Sequence, residues 1–306
     1  MEIFLTPGDS INKALQKLKT GDVIILDDGI YSEKVEIWTD GIKIKGKNHL
    51  GAIIYNMDYY HKIMPNHNEC NTFNTFTCYV GADNVTIEDI TITNGSIPSS
   101  IYGQAVALHV DGNHFTCNNC VISSAQDTLF TGPLPPDLLD RYKYFYPKQR
   151  LSGKPSIQVY NKCQIIGDVD FIFGTGTVLF NECEIISLER QDLTGFICAP
   201  AHEKKQKFGY LFYKCNLIGK TATYLGRPWR DYGTAAFILC NMGKHIIPLG
   251  FNKWNATNRD KTARFFEYTL GTDLSKREPW IKLLTKDEAE KYVEDFMIFI
   301  NWWDYL

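Results

Sequence analysis

Apolar residues along this chain come in short runs, each closed by one or two polar residues and followed at once by another short run. Phe115–Ile122, Val159–Ile166, Leu179–Ile186 and Leu211–Ile218 share the layout in detail: a brief strand, a polar corner, a cysteine, then a second brief strand. Val85–Asn94 has the same design, with Asp89 where the cysteine falls. Cys120, Cys163, Cys183 and Cys215 stand 43, 20 and 32 residues apart. Those spacings lie inside the ~20–50-residue period of stacked solenoid turns, and their inequality implies loops of unequal length on one side. Strands this short and this rich in Val, Ile, Thr and Phe cannot bury both faces alone, whereas parallel stacking lets each coil cover the next. The pattern predicts an all-β fold, a single-stranded right-handed parallel β-helix, with a β-sandwich or propeller as the alternative on pattern alone. The cysteines read as small apolar side chains stacked inside the coil.

At both ends the period changes. Ser10 is placed to cap a short helix with Ile11, Ala14, Leu15 and Leu18 on its apolar face, ending at Gly21 before a Val23–Leu26 strand. Thr285 and Glu288 make a capping-box pattern ahead of Ala289, Tyr292, Val293, Phe296 and Ile300, so residues 285–301 are expected to form a carboxyl-terminal helix. These short capping helices are expected to cover open sheet edges. No Pro/Gly/Ser-rich linker interrupts the pattern, and residues 1–306 read as one domain with a long Pro- and Tyr-rich insertion at 131–156.

Charge changes little in this picture. Lys+Arg 32 against Asp+Glu 35 gives a net charge of −3 with no long block of either sign, which argues against nucleic acid and anionic membranes as partners. The longest apolar cluster, Phe296–Ile300, falls far short of the ~20 residues of a membrane span. Met1–Gly8 shows no basic leader or extended apolar core, and nine cysteines is an odd number in apolar surroundings. Free thiols, a monomer and a cytoplasmic location are the resulting expectations, with secretion as the alternative if a leader has been removed from the chain.

Familiar catalytic signatures are missing: there is no Gly-x-Ser-x-Gly elbow and no His-Glu-x-x-His. Gly219-Lys220-Thr221 lacks the upstream glycine of a phosphate loop, since Lys214 stands there. Cys117-x-x-Cys120 has no second pair at zinc spacing, and His61, His67 and Cys70 form only a loose cluster, so nothing calls for a metal or a cofactor. What remains is carboxylate and amide chemistry in four motifs: Gly103-Gln104-Ala105-Val106-Ala107-Leu108, Gln126-Asp127-Thr128-Leu129-Phe130, Asp170-Phe171-Ile172-Phe173-Gly174 and Leu225-Gly226-Arg227-Pro228-Trp229.

In these motifs and their order, spread over roughly residues 20–270, the chain resembles the pectin methylesterase family. The resemblance implies an ester hydrolase that demethylates methyl-esterified galacturonan (pectin) or oligogalacturonides. It implies Asp170 as nucleophile, Asp127 as general acid/base, Gln104 and Gln126 as amide donors to an oxyanion, and Arg227 as the partner that keeps Asp170 ionised. Thr72, Gln104, Phe130, Phe171, Arg227 and Trp229 are the implied substrate contacts. Physical chemistry supports the division of labour independently: two adjacent carboxylates do not both ionise cheaply, and a guanidinium decides which one does. Taken singly, each residue also has a structural reading. Asp127 could be a turn former, Asp170 a strand-start cap, Gln104 a ladder amide and Arg227-Pro228-Trp229 a packed corner. A polygalacturonase or pectate lyase, a thioesterase-like relative and a non-catalytic carbohydrate-binding β-helix are the rival functions.

Three features depart from the family pattern. Asp127 and Asp170 stand 43 residues apart, which keeps them on adjacent coils only if the insertion loops out and Ile157–Cys163 resumes the stack. Tyr142, Tyr144, Phe145, Tyr146, Lys148 and Arg150 of that insertion are expected to wall one end of the cleft and favour short oligogalacturonides. Phe251 stands where the family leads one to expect a sugar-stacking Trp. The expected lack of a secretion leader is the third departure, since such enzymes usually act outside the cell.

Overall fold

The computed structural model describes residues 1–65, 67–142, 156–191 and 193–301. Three parallel sheets of 11, 7 and 8 strands wrap around one interior as a right-handed parallel β-helix. The 11-stranded sheet runs from Glu2–Leu5 to Lys282–Leu283, the 8-stranded sheet from Gly29–Ser32 to Asn241–Met242, and the 7-stranded sheet from Val35–Ile37 to Thr223–Gly226.

In-register stacking explains the sequence rhythm. Ile24, Ile44, Ile87, Cys117, Tyr160, Phe180, Phe212 and Phe237 follow one another at a single position of successive coils. The aromatic half of this ladder stacks at centroid distances of 5.2, 4.6 and 4.3 Å. The next position is Glu267, buried and paired with Arg277 at 2.8 Å, and Leu283 follows it. The corners are left-handed: Asn119, Lys162, Glu182, Lys214 and the apolar Leu239 have φ of 52°, 52°, 51°, 54° and 55°. Each is followed by a buried cysteine whose thiol donates to a carbonyl of the preceding coil, as Cys163 does to Cys117 O and Cys183 to Tyr160 O, both at 3.3 Å. All nine cysteines are free and buried. Asp89, with φ 57°, aligns with the corner residue Asn119, so Ile90 and not Asp89 occupies the cysteine position.

Ser10 caps the helix Ile11–Leu15, whose Ile11, Ala14 and Leu15 join the apolar interior at the amino-terminal end. Thr285 and Glu288 form the capping box of the helix Lys286–Phe299. Ala289, Phe296 and Ile300 of that segment pack on Val159, Leu179, Leu211, Ala236 and Ile238, so it lies across the outer face of the 11-stranded sheet and not along an edge. That face is apolar on both sides in this region, and the helix supplies the second cover.

The insertion leaves the stack undisturbed. Leu129–Thr131 pairs directly with Ile172–Gly174, and Phe115–Asn118 with Gln158–Asn161, so coils on either side of it are adjacent. Its first part forms the helix Pro136–Tyr142. Tyr144, Phe145, Tyr146, Lys148 and Arg150 lie outside the described residues.

Candidate active site

An open cavity of ≈ 420 Å³ lies over the 7-stranded sheet, and Thr72, Gln104, Gln126, Asp127, Asp170, Arg227 and Trp229 all line it. The Leu129↔Ile172 register, carried two residues back, sets Asp127 opposite Asp170 on coils whose backbones are ~4.8 Å apart. Asp127 N donates to Val169 O at 3.1 Å across that step. Both aspartates are left-handed, with φ of 63° and 48°, a conformation that Asp tolerates better than most residues and that recurs at functional positions.

Arg227 grips Asp170 with two hydrogen bonds, Nε to Oδ1 at 2.8 Å and Nη2 to Oδ2 at 2.6 Å. Its guanidinium carbon sits 3.9 Å from the Phe196 ring centroid and 4.1 Å from that of Trp254, so the fork is held between two aromatic faces. Burial pushes the Asp127 carboxyl well above the usual carboxylate range, and the neighbouring Asp170 charge adds to the rise. Burial raises Asp170 too, but the Arg227 hydrogen bonds and charge draw it back. Of the two, Asp127 is the one pushed further toward the protonated form, and Arg227 favours the charged form of Asp170.

Gly103, with φ 70° and ψ −141°, ends the turn Ser99–Tyr102 in a conformation open essentially to glycine alone and delivers Gln104 to the cleft. Gln104 and Gln126 bridge through the backbone, Ala105 N donating to Gln126 O at 3.0 Å, which places two half-buried amides side by side at the rim. Thr72 opens a short 3₁₀ turn capped by the Asn71 side chain, which accepts from Phe73 N at 2.8 Å.

Two expected substrate contacts stand elsewhere. Phe171 is fully buried in the interior of the coil, because it faces inward between Asp170 and Ile172. Phe130 is fully buried beneath the cavity, packed on Phe73 and Phe173 at 5.3 and 5.0 Å. The ring that reaches the cavity from the same motif is Phe173, which lies directly beside Phe130 in register. Phe251 is likewise fully buried, against Phe237 and Phe265, and Trp254 lines the cavity three residues later. Tyr60 and Phe73, from the segment before Cys78–Val80, and Leu138, Arg141 and Tyr142, from the insertion helix, complete the walls. Tyr142 lines the cavity as expected of the insertion; the other four carry no chemical motif, and an aromatic-rich segment next to a strand is the only signal they offered.

A buried carboxylate pair, one member gripped by a clamped guanidinium and the other without that partner, beside two amide side chains in an open cleft, is equipment suited to a carboxylate-driven hydrolase. A model of the pectinesterase family matches residues 3–134 and 149–300, and the chain belongs to that family of carboxylic ester hydrolases. The unmatched residues between those stretches contain the Pro136–Tyr142 helix.

Among curated relatives, probable pectinesterase 8 of Arabidopsis thaliana is 28% identical over 92% of this chain and 68% of its own length. Pectinesterase 31 of the same plant is 31% identical over 72% of this chain and 63% of its own. Probable pectinesterase/pectinesterase inhibitor 35 is 28% identical over 96% of this chain, which spans about half, 52%, of that protein. The fold is shared with carrot pectin methylesterase, at a TM-score of 0.77 and 23% identity over 93% of this chain and 88% of that one. Erwinia chrysanthemi pectin methylesterase gives 0.74 and 22% over 95% and 94%.

Proposed function

We propose that the protein demethylates methyl-esterified galacturonan through an acyl-enzyme on Asp170. The observation that carries this reading is the bidentate Arg227–Asp170 pair beside Asp127, whose carboxyl burial pushes up, in the open cavity. Asp170 attacks the ester carbonyl carbon, and the oxyanion that develops accepts hydrogen bonds from the Gln104 and Gln126 side-chain amides. As the C–O bond to methoxide breaks, Asp127 gives up its proton and methanol leaves neutral. Asp127, now a carboxylate, takes a proton from water, which attacks the acyl carbon and returns Asp170 as carboxylate and Asp127 as acid. Thr72, Phe173, Trp229 and Trp254 supply the polar and aromatic walls that a sugar chain requires. The sheets, continuous from Glu2 to Leu283, support a reading of the chain as one domain.

Pectin is a wall polymer, so this function puts the work outside a plant cell and replaces the cytoplasmic expectation. The thiols do not oppose that: all nine are packed in the interior, where burial and not a reducing compartment keeps them from oxidants. No helix among the described residues is long and apolar enough to cross a membrane.

Methanol release from methylated pectin, followed for the wild type, Asp170→Asn and Asp127→Asn, tests the mechanism. Release by the wild type and its loss in Asp170→Asn are expected. Methanol from Asp170→Asn, or chain shortening without methanol in the wild type, overturns the reading.

A further inference from the structure

Asp168 stands two residues before Asp170, is buried, and has no part in the reaction described above. Two groups meet its carboxylate. Oδ2 accepts a hydrogen bond from the Ser99 hydroxyl, 69 residues earlier in the chain, and lies 3.6 Å from Arg190 Nε. Arg190 is itself held, its backbone N donating to Thr221 Oγ1 at 2.8 Å and Nη1 to Thr194 O at 3.2 Å. A buried carboxylate is costly to keep, and this one ties together segments that are far apart in sequence.

Three successive coils meet at this point. Asp168 N donates to Ala125 O at 3.0 Å, and Ala105 N donates to Gln126 O at 3.0 Å, so the coil of Gln126 lies between that of Asp168 and that of Gln104. The Ser99–Asp168 hydrogen bond crosses that middle coil and joins its two neighbours directly. On the Gln104 side it holds the turn Ser99–Tyr102, of which Ser99 is the one buried residue. Ser99 O accepts from Gly103 N at 2.8 Å, and Gly103, at φ 70°, passes the chain to Gln104 in the cavity. On the other side Asp168 leads straight into the strand Val169–Gly174, which carries the nucleophile.

We propose that Asp168 is a positioning residue for the oxyanion site: through Ser99 it holds the turn that presents the Gln104 amide, in register with Gln126 and with the ester carbon attacked by Asp170. The inference rests on the reading of Gln104 as an oxyanion donor and adds the device that aims it. A donor counts most when it is fixed before the charge develops, and a displacement of about 1 Å can cost up to about a hundredfold in rate. The backbone that carries the nucleophile thus also sets the donor opposite it.

Because the Asp168 charge also contributes to the rise of Asp127 and Asp170, the test perturbs Ser99 and leaves that charge in place. Initial rates of methanol release are measured for the wild type, Ser99→Ala, Gln104→Ala and the double variant, with melting temperatures alongside. Ser99→Ala is expected to lower kcat about tenfold and to change KM by less than about twofold, because the aimed amide acts on the transition state. Gln104→Ala is expected to lower kcat about a hundredfold. The double variant is expected to be no slower than Gln104→Ala, since the turn then has no donor to aim. Ser99→Cys, a near-isostere with a weaker donor, is expected to fall between wild type and Ser99→Ala, and it carries the same cycle if Ser99→Ala does not fold. A folded Ser99→Ala with wild-type kcat, or a double variant whose loss is the product of the two single losses, overturns the positioning role alone. Wild-type kcat in Gln104→Ala overturns the oxyanion reading and the inference with it.

Discussion

Arg227→Gln removes the group that keeps the nucleophile charged while leaving a side chain of similar reach. Two charge-assisted hydrogen bonds at 2.8 and 2.6 Å are lost, each worth about 1.5–3 kcal/mol. Neither partner is fully dry, with side-chain exposures of 18% for Arg227 and 10% for Asp170. Allowing for water and relaxation, about 3 kcal/mol of preference for the carboxylate form disappears, or about a hundredfold in its population where protonation competes. Burial, which already pushes Asp170 up, then acts unopposed, and the pair with Asp127 holds its protons to higher pH. The assay is methanol release against pH: the acidic limb of kcat moves upward, and the rate on its acid side falls about a hundredfold, with partial recovery at higher pH. Arg227→Lys, which keeps charge but not the fork, falls between. An acidic limb in the same place for wild type and Arg227→Gln refutes the assignment of Arg227 as the determinant of Asp170 ionisation.

The remaining predictions concern stability and the walls of the cleft. His202 is buried and neutral, Nε2 donating to Gly176 O at 2.9 Å and Nδ1 accepting from Thr234 N at 3.1 Å, and burial lowers its pKa to about 4. The unfolded state binds the proton first, from about pH 6.5 downward. Stability is therefore full above that pH and declines as pH falls toward 4, by about 3 kcal/mol in all; urea titrations at pH 7 and 5 check it, and a pH-independent midpoint opposes it. Phe171→Ala is expected to cost about 3–5 kcal/mol of stability, whereas Phe173→Ala raises KM for pectin more than it lowers the melting temperature. The reverse ranking would place Phe171 and not Phe173 against substrate.

Short apolar strands with polar corners were enough to indicate stacked parallel coils, because the same side-chain types recur wherever one coil covers the next. The candidate site was legible for a related reason: Gln104, Gln126, Asp127, Asp170 and Arg227, which meet at the cavity, sit in compact motifs on the strands or at their ends. Inward and outward rings were not distinguishable. Every residue of Val169–Gly174 is buried, so no polar alternation separates Phe171 from Phe173. Phe130 is apolar on a face that only tertiary packing covers, and Phe251 is buried in the coil while Trp254 lines the cavity. Tyr60, Phe73 and Arg141 come from segments outside the repeat, and nothing local announces that they converge on the cavity.

The left-handed turning points of the coil bear on how such a dyad could arise. At the corner before the 7-stranded sheet Asp127 and Asp170 have positive φ on two successive rungs, a conformation in which aspartate and asparagine are the most accommodating side chains apart from glycine. Two aspartates at successive rungs are then neighbours by construction, with no dedicated loop to hold them. For the same reason Asp→Asn at 127 or 170 keeps the backbone at ease, while Asp→Ala adds conformational strain to the loss of charge and confounds any comparison of rates.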